Sequence, residues 1–191
     1  MKEIILASSS PRRSELLKQL GLQFRTLVCP VDETLPPGLS PFELVELLAV
    51  KKAMAVARML EDGIVIGADT VVFWHGQPLG KPSDGDDAME MLGRLQGTVH
   101  EVYTGVALVD ADSRKVLIEH EKTRVFFRSF DEEEIRRYVA TGEPMDKAGA
   151  YAIQGLGAIF IKGLEGCYSN VVGLPLARLA KMLKQFGYNV L

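Results

Sequence analysis

The sequence predicts an α/β protein built on a mixed β-sheet, and three observations lead to that fold class. Apolar, β-branched runs of strand length alternate with helix-length stretches that carry one apolar face. Capping signals such as Ser40-Pro41-Phe42-Glu43 stand where a strand or loop gives way to a helix. Two long alternating runs follow each other across a short polar turn, which adds an antiparallel pair and makes the sheet mixed.

The first half of the chain supplies short strands and two well-marked helices. A serine N-cap, a proline at the first helical position and a glycine stop mark the first helix, and a capping box marks the second. Two β-branched runs interrupted by Asp69-Thr70 predict two more strands, followed by a hairpin turn at His75-Gly76. The predicted elements are Lys2–Ala7 (strand), Ser10 to about Leu20 (helix), Phe24–Cys29 (strand), Ser40 to about Leu60 (helix), Ile64–Ala68 (strand) and Val71–Trp74 (strand).

The second half adds the long hairpin and three helices. Within Thr98–Arg128 two strands are expected, joined by the polar turn Asp110–Ser113. The acidic start of the following helix complements the helix dipole, and Gly187 stops the last helix. The other predicted elements are a helix from Ser83 to near Leu95, a helix at Asp131–Ala140, a strand at Ala158–Lys162 and a terminal helix at Pro175–Phe186.

Composition excludes several classes of protein. With 191 residues, 47% hydrophobic and 25% charged, the chain has the composition of a globular protein, and we expect one domain over residues 1–191 without a separable linker. No apolar run reaches membrane-spanning length, and the start of the chain resembles a strand more than a signal peptide, so we expect a cytoplasmic protein. A net charge of −3 and a pI near 5.7 argue against nucleic-acid and membrane partners.

The cysteines and histidines give no sign of a zinc site. Cys29 and Cys167 lie far apart without C-x-x-C spacing, so we expect reduced, structural thiols. The three histidines, His75, His100 and His120, lack any metal-binding spacing.

The segment Ser8-Ser9-Ser10-Pro11-Arg12-Arg13 indicates a phosphate site, because it joins the first strand to the start of a helix. Free backbone N–H groups and the positive helix end bind anions there, and Ser8 and Ser10 add hydroxyl donors. Two arginines in a first helical turn oppose the helix dipole, so a negative group is expected to compensate Arg12 and Arg13. The segment is not a P-loop, since no G-x-x-x-x-G-K-[ST] occurs.

Carboxylates point to a second part of the same site. Asp69 lies at the end of a predicted buried strand, and α/β sheets bind ligands at the ends of their strands. An Asp that only caps a turn would give the same sequence pattern. Glu33 follows the second strand and can share a divalent cation with Asp69. Lys52 and Lys81 are cations that can reach such a cleft, but each taken alone is typical of a solvated surface.

Further along the chain, Asp146–Gly155 combines small residues with Gln154, whose amide can pair with a base edge. The segment Gly166–Pro175 resembles a turn that leads into the terminal helix.

Six motifs follow one another over almost the whole chain: S-S-S-P-R-R, G-A-D-T-V-V, G-K-P, V-Y-T-G, D-K-A-G-A-Y-A-I-Q-G and N-V-V-G-L-P-L. In this order they resemble the Maf family of nucleoside-triphosphate pyrophosphatases. The resemblance implies a two-lobed α/β fold of the inosine-triphosphatase type, with the substrate in the cleft between lobes. It implies hydrolysis between the α and β phosphates, giving a nucleoside monophosphate and pyrophosphate, as a house-cleaning activity; the family was first linked to septum formation. It is also compatible with a homodimer.

The resemblance also assigns roles to residues. It implies that Asp69 is the catalytic proton acceptor and that Glu33 helps to bind a divalent cation, Mg²⁺, Mn²⁺ or Co²⁺. It also implies that the triphosphate is bound by Arg12, Arg13, Lys52 and Lys81. Specificity positions fall on Arg12, Thr70 and Gln154, a combination similar to the subfamily that prefers dTTP and UTP. The resemblance is compatible with Asp69 as a base, as a metal ligand or as both.

The sequence is also compatible with two other functions. One is a nucleotide-binding regulator of septum formation with little turnover. The other is a pyrophosphatase for 7-methyl-GTP or other modified nucleotides, whose family members resemble this chain except at the specificity positions.

Overall fold

The computed structural model describes residues 2–191, which form strands and helices in alternation, as the sequence predicts. The strands are β1 (Ile4–Leu6), β2 (Phe24–Thr26), β3 (Ile64–Trp74), β4 (Gln77–Leu79), β5 (Val99–Asp110), β6 (Val116–Phe127) and β7 (Ile161–Glu165). The α-helices are α1 (Pro11–Gln19), α2 (Pro41–Ala57), α3 (Gly85–Leu95), α4 (Glu132–Ala140), α5 (Tyr168–Val172) and α6 (Leu176–Lys184). Short 3₁₀ helices lie at Glu143–Asp146, Ala148–Ala150 and Leu156–Phe160.

The strands form one mixed sheet flanked by helices, so the predicted fold class is confirmed. The strand order is β2-β1-β3-β5-β6-β7, and β4 pairs with β3 off this path. Strand β1 is parallel to both β2 and β3, with Ile5 opposite Arg25 and Val65. Strands β4 and β7 are antiparallel to β3 and β6.

Strand β3 differs most from the sequence prediction, because it runs unbroken from Ile64 to Trp74. The prediction of two strands separated at Asp69-Thr70 is wrong. Both polar side chains form hydrogen bonds with side chains from distant parts of the sequence, so no turn is needed to satisfy them. Asp69 therefore lies within a strand and not at its end, shortly beyond Ile66, where the neighbouring strand β1 stops.

Other boundaries shift for local reasons. Helix α3 begins after Asp84 and not at Ser83, because the Asp84 carboxylate accepts a hydrogen bond from the Asp87 N–H at 2.9 Å. The strand predicted at Ala158–Lys162 begins only at Ile161, since the preceding residues form a 3₁₀ helix. Helix α5 lies within Gly166–Pro175, so the prediction of a turn there is wrong for Tyr168–Val172. The hairpin turn after Trp74 and the long β5–β6 pair agree with the prediction.

The chain folds as two compact units, each made of separate stretches of sequence. Unit 1 comprises the described residues up to Thr70, with Thr104–Glu121 and Gly173–Leu191. Unit 2 comprises Val71–Tyr103 and Lys122–Val172. The single-domain organisation expected from the sequence stays a prediction.

In unit 1, helix α2 lies directly on the backbones of β3 and β5, because each strand places a glycine beneath it. A β-carbon at Gly67 would lie 2.3 Å from the Ala49 carbonyl oxygen, and one at Gly105 would lie 2.3 Å from the Val45 carbonyl oxygen. The core around this contact is rich in alanine: Ala7, Ala49, Ala53, Ala57, Ala107 and Ala111. Small residues thus let α2 approach closely enough for its side chains to reach polar groups on β3.

The variant Gly105→Ala is expected to lower the free energy of unfolding by about 1–3 kcal/mol, because the added methyl must push α2 away from the sheet. Urea unfolding followed by circular dichroism measures this loss. Gly93→Ala is the matched control, since a β-carbon at Gly93 in α3 meets no atom within 4 Å and alanine favours the helix. A Gly105→Ala protein as stable as wild type would contradict this close packing.

Unit 2 has an aromatic core instead, and it encloses a histidine. Phe127, Phe130, Tyr138, Tyr151 and Phe160 pack together in this core. The His100 ring is 1% exposed, and its Nε2 lies 2.7 Å from the Tyr151 hydroxyl. Among residues 2–191, its Nδ1 has no hydrogen-bond partner. Burial lowers the pKa of His100 from 6.5 to about 4, so the imidazole is neutral in the folded protein at neutral pH.

Because the unfolded chain protonates His100 near pH 6.5 and the folded protein only near pH 4, stability is expected to fall as the pH is lowered through this interval. The loss attributable to this group is about 3 kcal/mol. Urea unfolding at a series of pH values measures it as the difference between wild type and His100→Gln, which cannot be protonated. His75→Asn, at an exposed histidine of positive φ, should keep the wild-type pH dependence. Parallel profiles for wild type and His100→Gln would contradict the assignment.

Candidate active site

The centre of the candidate site in unit 1 is the ammonium group of Lys52, which two carboxylates share. Lys52 Nζ donates to Asp69 Oδ1 at 2.5 Å and lies 2.8 Å from Glu33 Oε1. The Asp69 side chain is only 13% exposed, whereas that of Glu33 is 57% exposed. One carboxylate is therefore fixed in the sheet, and the other approaches it from the surface.

The glycine contact beneath α2 explains why Lys52 reaches Asp69. Gly67 and Asp69 lie on the same face of β3, because alternate residues of a strand share a face. Ala49, whose carbonyl lies over Gly67, and Lys52 are three residues apart on α2 and so share a side of the helix. The close approach at Gly67 thus directs the lysine toward the aspartate.

The loop that carries Glu33 is fastened to α2 by the neighbouring lysine. Lys51 Nζ donates to the carbonyl oxygens of Asp32 and Thr34 at 3.0 and 2.8 Å. The Asp32 carboxylate accepts a hydrogen bond from the Thr34 N–H at 2.8 Å and so closes a turn around Glu33. Lys51 therefore binds the backbone of the loop, while its neighbour Lys52 pairs with the Glu33 carboxylate.

Arg13 is held by three oxygen atoms, none of which carries a charge. Its Nε donates to the Gly173 carbonyl at 2.8 Å, Nη1 to Ser8 Oγ at 3.2 Å, and Nη2 to Thr70 Oγ1 at 3.0 Å. Burial lowers the pKa of the guanidinium and the charge of Arg12 lowers it further, whereas the charges of Asp69 and Glu33 raise it. A guanidinium has five N–H groups, so this arrangement orients a cation and leaves it capacity to bind an anion.

The Thr70 hydroxyl connects Arg13 to the interior. Its oxygen lies 2.9 Å from Thr104 Oγ1, and Thr104 is completely buried. The orientation of the arginine therefore depends on a residue of β5 as well as on the first helix. The Arg13, Thr70 and Thr104 side chains form one polar chain within unit 1.

The remaining residues of the first motif lie around the start of α1. Ser10 is the N-cap residue, as predicted, but its side chain makes no capping hydrogen bond. Instead Ser8, which is buried, accepts a hydrogen bond from the Ser10 N–H at 3.2 Å. Arg12 is half-buried in the first turn of α1. The serines thus shape the loop and help to hold Arg13.

Two of the sequence-predicted site residues belong to unit 2. Lys81 is exposed, and the carbonyl of its neighbour Gly80 accepts a hydrogen bond from the Gly149 N–H at 3.0 Å. Gln154 is half-buried in the bend that precedes the 3₁₀ helix Leu156–Phe160. The structure thus brings Ser8, Arg13, Glu33, Lys52, Asp69 and Thr70 together within unit 1 and places Lys81 and Gln154 in unit 2.

Glu33 and Asp69 are the side chains of this site that could hold a divalent cation together with phosphate oxygens. The Glu33 and Asp69 oxygens surround one ammonium nitrogen, and hard oxygen ligands of this kind suit Mg²⁺ or Mn²⁺. Among residues 2–191, no group of three or more His, Cys, Asp or Glu side chains is arranged to hold a metal. Mg²⁺ is commonly held by one or two carboxylates together with phosphates, so two carboxylates are sufficient for a cation of that type.

Sequence reasoning missed three contributors to this arrangement. Gly173 supplies a carbonyl to Arg13, Thr104 supports Thr70, and Lys51 holds the Glu33 loop. The first two lie within the N-V-V-G-L-P-L and V-Y-T-G motifs, so the motifs were the signal that could have identified them. Lys51 gave no signal apart from its position beside Lys52.

Comparison with known proteins gives matches over the whole chain. The Maf-like protein family model matches residues 3–186. A dTTP/UTP pyrophosphatase of Pelotomaculum thermopropionicum is 71% identical over 191 residues, 100% of both chains. Relatives of the same name from Desulforamulus reducens and Bacillus cereus are 52% and 50% identical over 190 residues, covering 100% of this chain and 100% and 98% of theirs. Among solved structures, the Staphylococcus aureus Ham1 protein matches 66% of this chain and 72% of its own at 16% identity, with a TM-score of 0.47.

Proposed function

The chain belongs to the Maf family, and on that premise we propose that it is a nucleoside-triphosphate pyrophosphatase that hydrolyses dTTP and UTP. It is a hydrolase that cleaves between the α and β phosphates and releases the nucleoside monophosphate and pyrophosphate. Relatives that are 71% and 52% identical over full length carry the name of this activity, which favours turnover over a regulator that only binds nucleotides. The same name favours dTTP and UTP over 7-methyl-GTP.

The observation that carries the mechanism is the paired Asp69 and Lys52, with Arg13 held nearby by neutral oxygens. Asp69 orients the attacking water and accepts its proton, since its carboxylate is fixed in β3 and partly shielded from solvent. Lys52 and Arg13 bind phosphate oxygens and stabilise the negative charge of the departing pyrophosphate. Ser8 and Ser10 keep the loop that presents Arg13 in shape.

We propose Glu33 and Asp69 as the residues that hold the divalent cation. When bound, the cation polarises the phosphate and neutralises part of its charge. Glu33 is exposed and lies on a loop clamped by Lys51, so it can adjust its position when a cation and a triphosphate bind. We propose Mg²⁺, Mn²⁺ or Co²⁺ as the cation.

For the remaining positions we propose the roles that the family resemblance assigns. Lys81 binds phosphate, and Arg12, Thr70 and Gln154 determine base preference. A glutamine amide can donate to a base carbonyl and accept from the imide N–H of uracil or thymine, which supports a pyrimidine preference. Thr70 acts at least partly through Arg13, whose Nη2 it binds.

The proposed location is the cytoplasm, and the partners are nucleotides and not nucleic acid. The net charge of −3 supports the second statement. Within residues 2–191, no helix is both long enough and apolar enough to cross a membrane. Cys29 and Cys167 are free thiols in the structure. The homodimer and a role in clearing nucleotides or in septum formation stay proposals.

Pyrophosphate release from a panel of canonical and modified triphosphates, with and without Mg²⁺ or Mn²⁺, tests the proposed function. We expect metal-dependent release from dTTP and UTP, and much slower release from CTP and purine triphosphates. An Asp69→Asn protein purified in the same way controls for contaminating phosphatases. If calorimetry detects nucleotide binding but no pyrophosphate is released, the proposed enzyme activity is wrong and the nucleotide-binding regulator is favoured.

The variant Gln154→Glu tests the base preference. It is expected to lower kcat/KM for dTTP and UTP by about ten-fold, because a carboxylate cannot donate to a base carbonyl and one bidentate base contact contributes about 1–3 kcal/mol. Steady-state kinetics with both substrates measure the loss. Gln77→Glu, at an exposed position of strand β4, is the charge-matched control. If Gln154→Glu leaves kcat/KM for dTTP and UTP nearly unchanged, the result favours the alternative of a 7-methyl-GTP or broad-specificity enzyme.

A further inference from the structure

The carboxylate of Glu143 caps a helix that lies thirteen residues further along the chain. The 3₁₀ helix Leu156–Phe160 begins after Gly155, which has no side chain to cap it. Glu143 takes this role, since its Oε2 accepts from the Leu156 N–H at 3.0 Å and its Oε1 from the Gly157 N–H at 2.9 Å. The first N–H groups of a helix otherwise lack partners, so this long-range cap fixes where the helix begins.

The residues between the cap and the core form a tight bend with Gln154 in it. Gly155 has φ +89°, and a β-carbon there would lie 2.7 Å from Glu143 Oε2. A β-carbon at Gly157 would lie 2.6 Å from the Ala152 carbonyl oxygen, so the bend closes on itself. On its other side, the bend is held by Tyr151, which is buried in the aromatic core. Gln154 thus has a fixed segment on each side.

Glu143 is itself fixed. Its Oε1 accepts a hydrogen bond from the Tyr138 hydroxyl of α4 at 2.9 Å, and Tyr138 is 4% exposed. Burial raises the pKa of the Glu143 carboxyl, but the Gly157 and Leu156 N–H groups and the Tyr138 hydroxyl lower it more, and the net pKa is below its usual range. The acceptor of these hydrogen bonds is therefore an ionised carboxylate at neutral pH.

We propose that Glu143 is the positioning residue for Gln154 and that, by fixing the bend 151–157, it sets the preference for uracil and thymine over cytosine. This inference rests on the proposed function, because it concerns the base that Gln154 contacts. Glu143 lies within hydrogen-bonding distance of Tyr138 and of the backbone after Gln154, and it acts only through the placement of that backbone.

The test compares UTP with CTP, which differ only at the pairing edge of the base. In Glu143→Gln, the amide nitrogen faces one of the two backbone N–H groups that donate to the carboxylate in the wild type. Two donors then face each other, and the bend loses one of its hydrogen bonds. The preference for UTP over CTP, as the ratio of kcat/KM values, is expected to fall about ten-fold, mainly through a higher KM for UTP. Combined with Gln154→Ala, Glu143→Gln should cause no further loss of preference, since both variants remove the same base contact.

Tyr138→Phe is the milder variant, because it removes one of the three hydrogen bonds and should lower the preference about three-fold. Glu133→Gln, at an exposed residue of α4 that pairs with Arg136 and Arg137, is the control and should keep the wild-type preference. An equal loss of UTP and CTP turnover in Glu143→Gln and Tyr138→Phe, or an unchanged preference in both, would overturn the inference. If the wild-type protein hydrolyses neither UTP nor dTTP, the proposed function fails first and the inference falls with it.

Discussion

Replacing Asp69 by asparagine is expected to lower the turnover of dTTP and UTP by about 10²–10⁴-fold, the usual effect of losing a general base. Asparagine has nearly the same shape, so it fits the same place in β3, but it can neither accept the proton of the attacking water nor bind a divalent cation as strongly. The Asp69 side chain is 13% exposed and its Oδ1 lies 2.5 Å from Lys52 Nζ. Strand β3 contains no second carboxylate that could take its place. Pyrophosphate release at saturating substrate measures the loss, and circular dichroism verifies the fold.

Two further variants separate the explanations for such a loss. Glu61→Gln, at an exposed carboxylate outside the site, should keep wild-type turnover. Glu33→Gln should raise the concentration of Mn²⁺ needed for half-maximal activity, because Glu33 is proposed to hold the cation. Recovery of Asp69→Asn at high Mn²⁺ would identify Asp69 mainly as a metal ligand, whereas a loss that persists identifies it as the base. Activity of Asp69→Asn within a few-fold of wild type would transfer the role of base to Glu33.

The order of strands and helices could be predicted because their signals are local. Ser40 and Glu43 form the predicted capping box, with the Ser40 hydroxyl accepting from the Glu43 N–H at 3.3 Å. The turn after Trp74 needs two residues of positive φ, and His75 and Gly76 both adopt it. Such interactions join residues within four positions of each other, so a short stretch of sequence contains every residue that takes part in them.

The site was only partly predictable because its contacts join distant residues. The sequence suggested that Asp69 and Thr70 break a strand, since their partners Lys52 and Arg13 lie elsewhere in the chain. The two arginines of the first motif indicate a nearby negative group, and the charges of Asp69 and Glu33 do act on Arg13. Its hydrogen-bond partners, a carbonyl and two hydroxyls, could not be foreseen from the sequence. No pattern of spacing indicates that Gly67 and Gly105 lie beneath α2, although this packing brings Lys52 to Asp69.

The second large effect is expected at Arg13, where the change to lysine should lower kcat/KM for dTTP by about 10²–10³-fold. A lysine keeps the charge but donates from a single nitrogen, so it cannot bind Gly173 O, Ser8 Oγ and Thr70 Oγ1 in the planar geometry of a guanidinium. The charge that stabilises the departing pyrophosphate would then be displaced, and Thr70 Oγ1 would lose the hydrogen bond from Arg13 Nη2.

Steady-state kinetics and urea unfolding together decide between a catalytic and a purely structural role for Arg13. Loss of the three hydrogen bonds should cost about 1–3 kcal/mol of stability, which leaves the protein folded under assay conditions. Arg25→Lys, at an exposed arginine paired with Glu3 at 2.8 Å, should change neither quantity. If Arg13→Lys loses stability but keeps kcat/KM, the guanidinium only braces the loop of the first motif. A large loss of kcat/KM in a protein that remains folded means that the position of this charge matters to the reaction, since lysine preserves the charge itself.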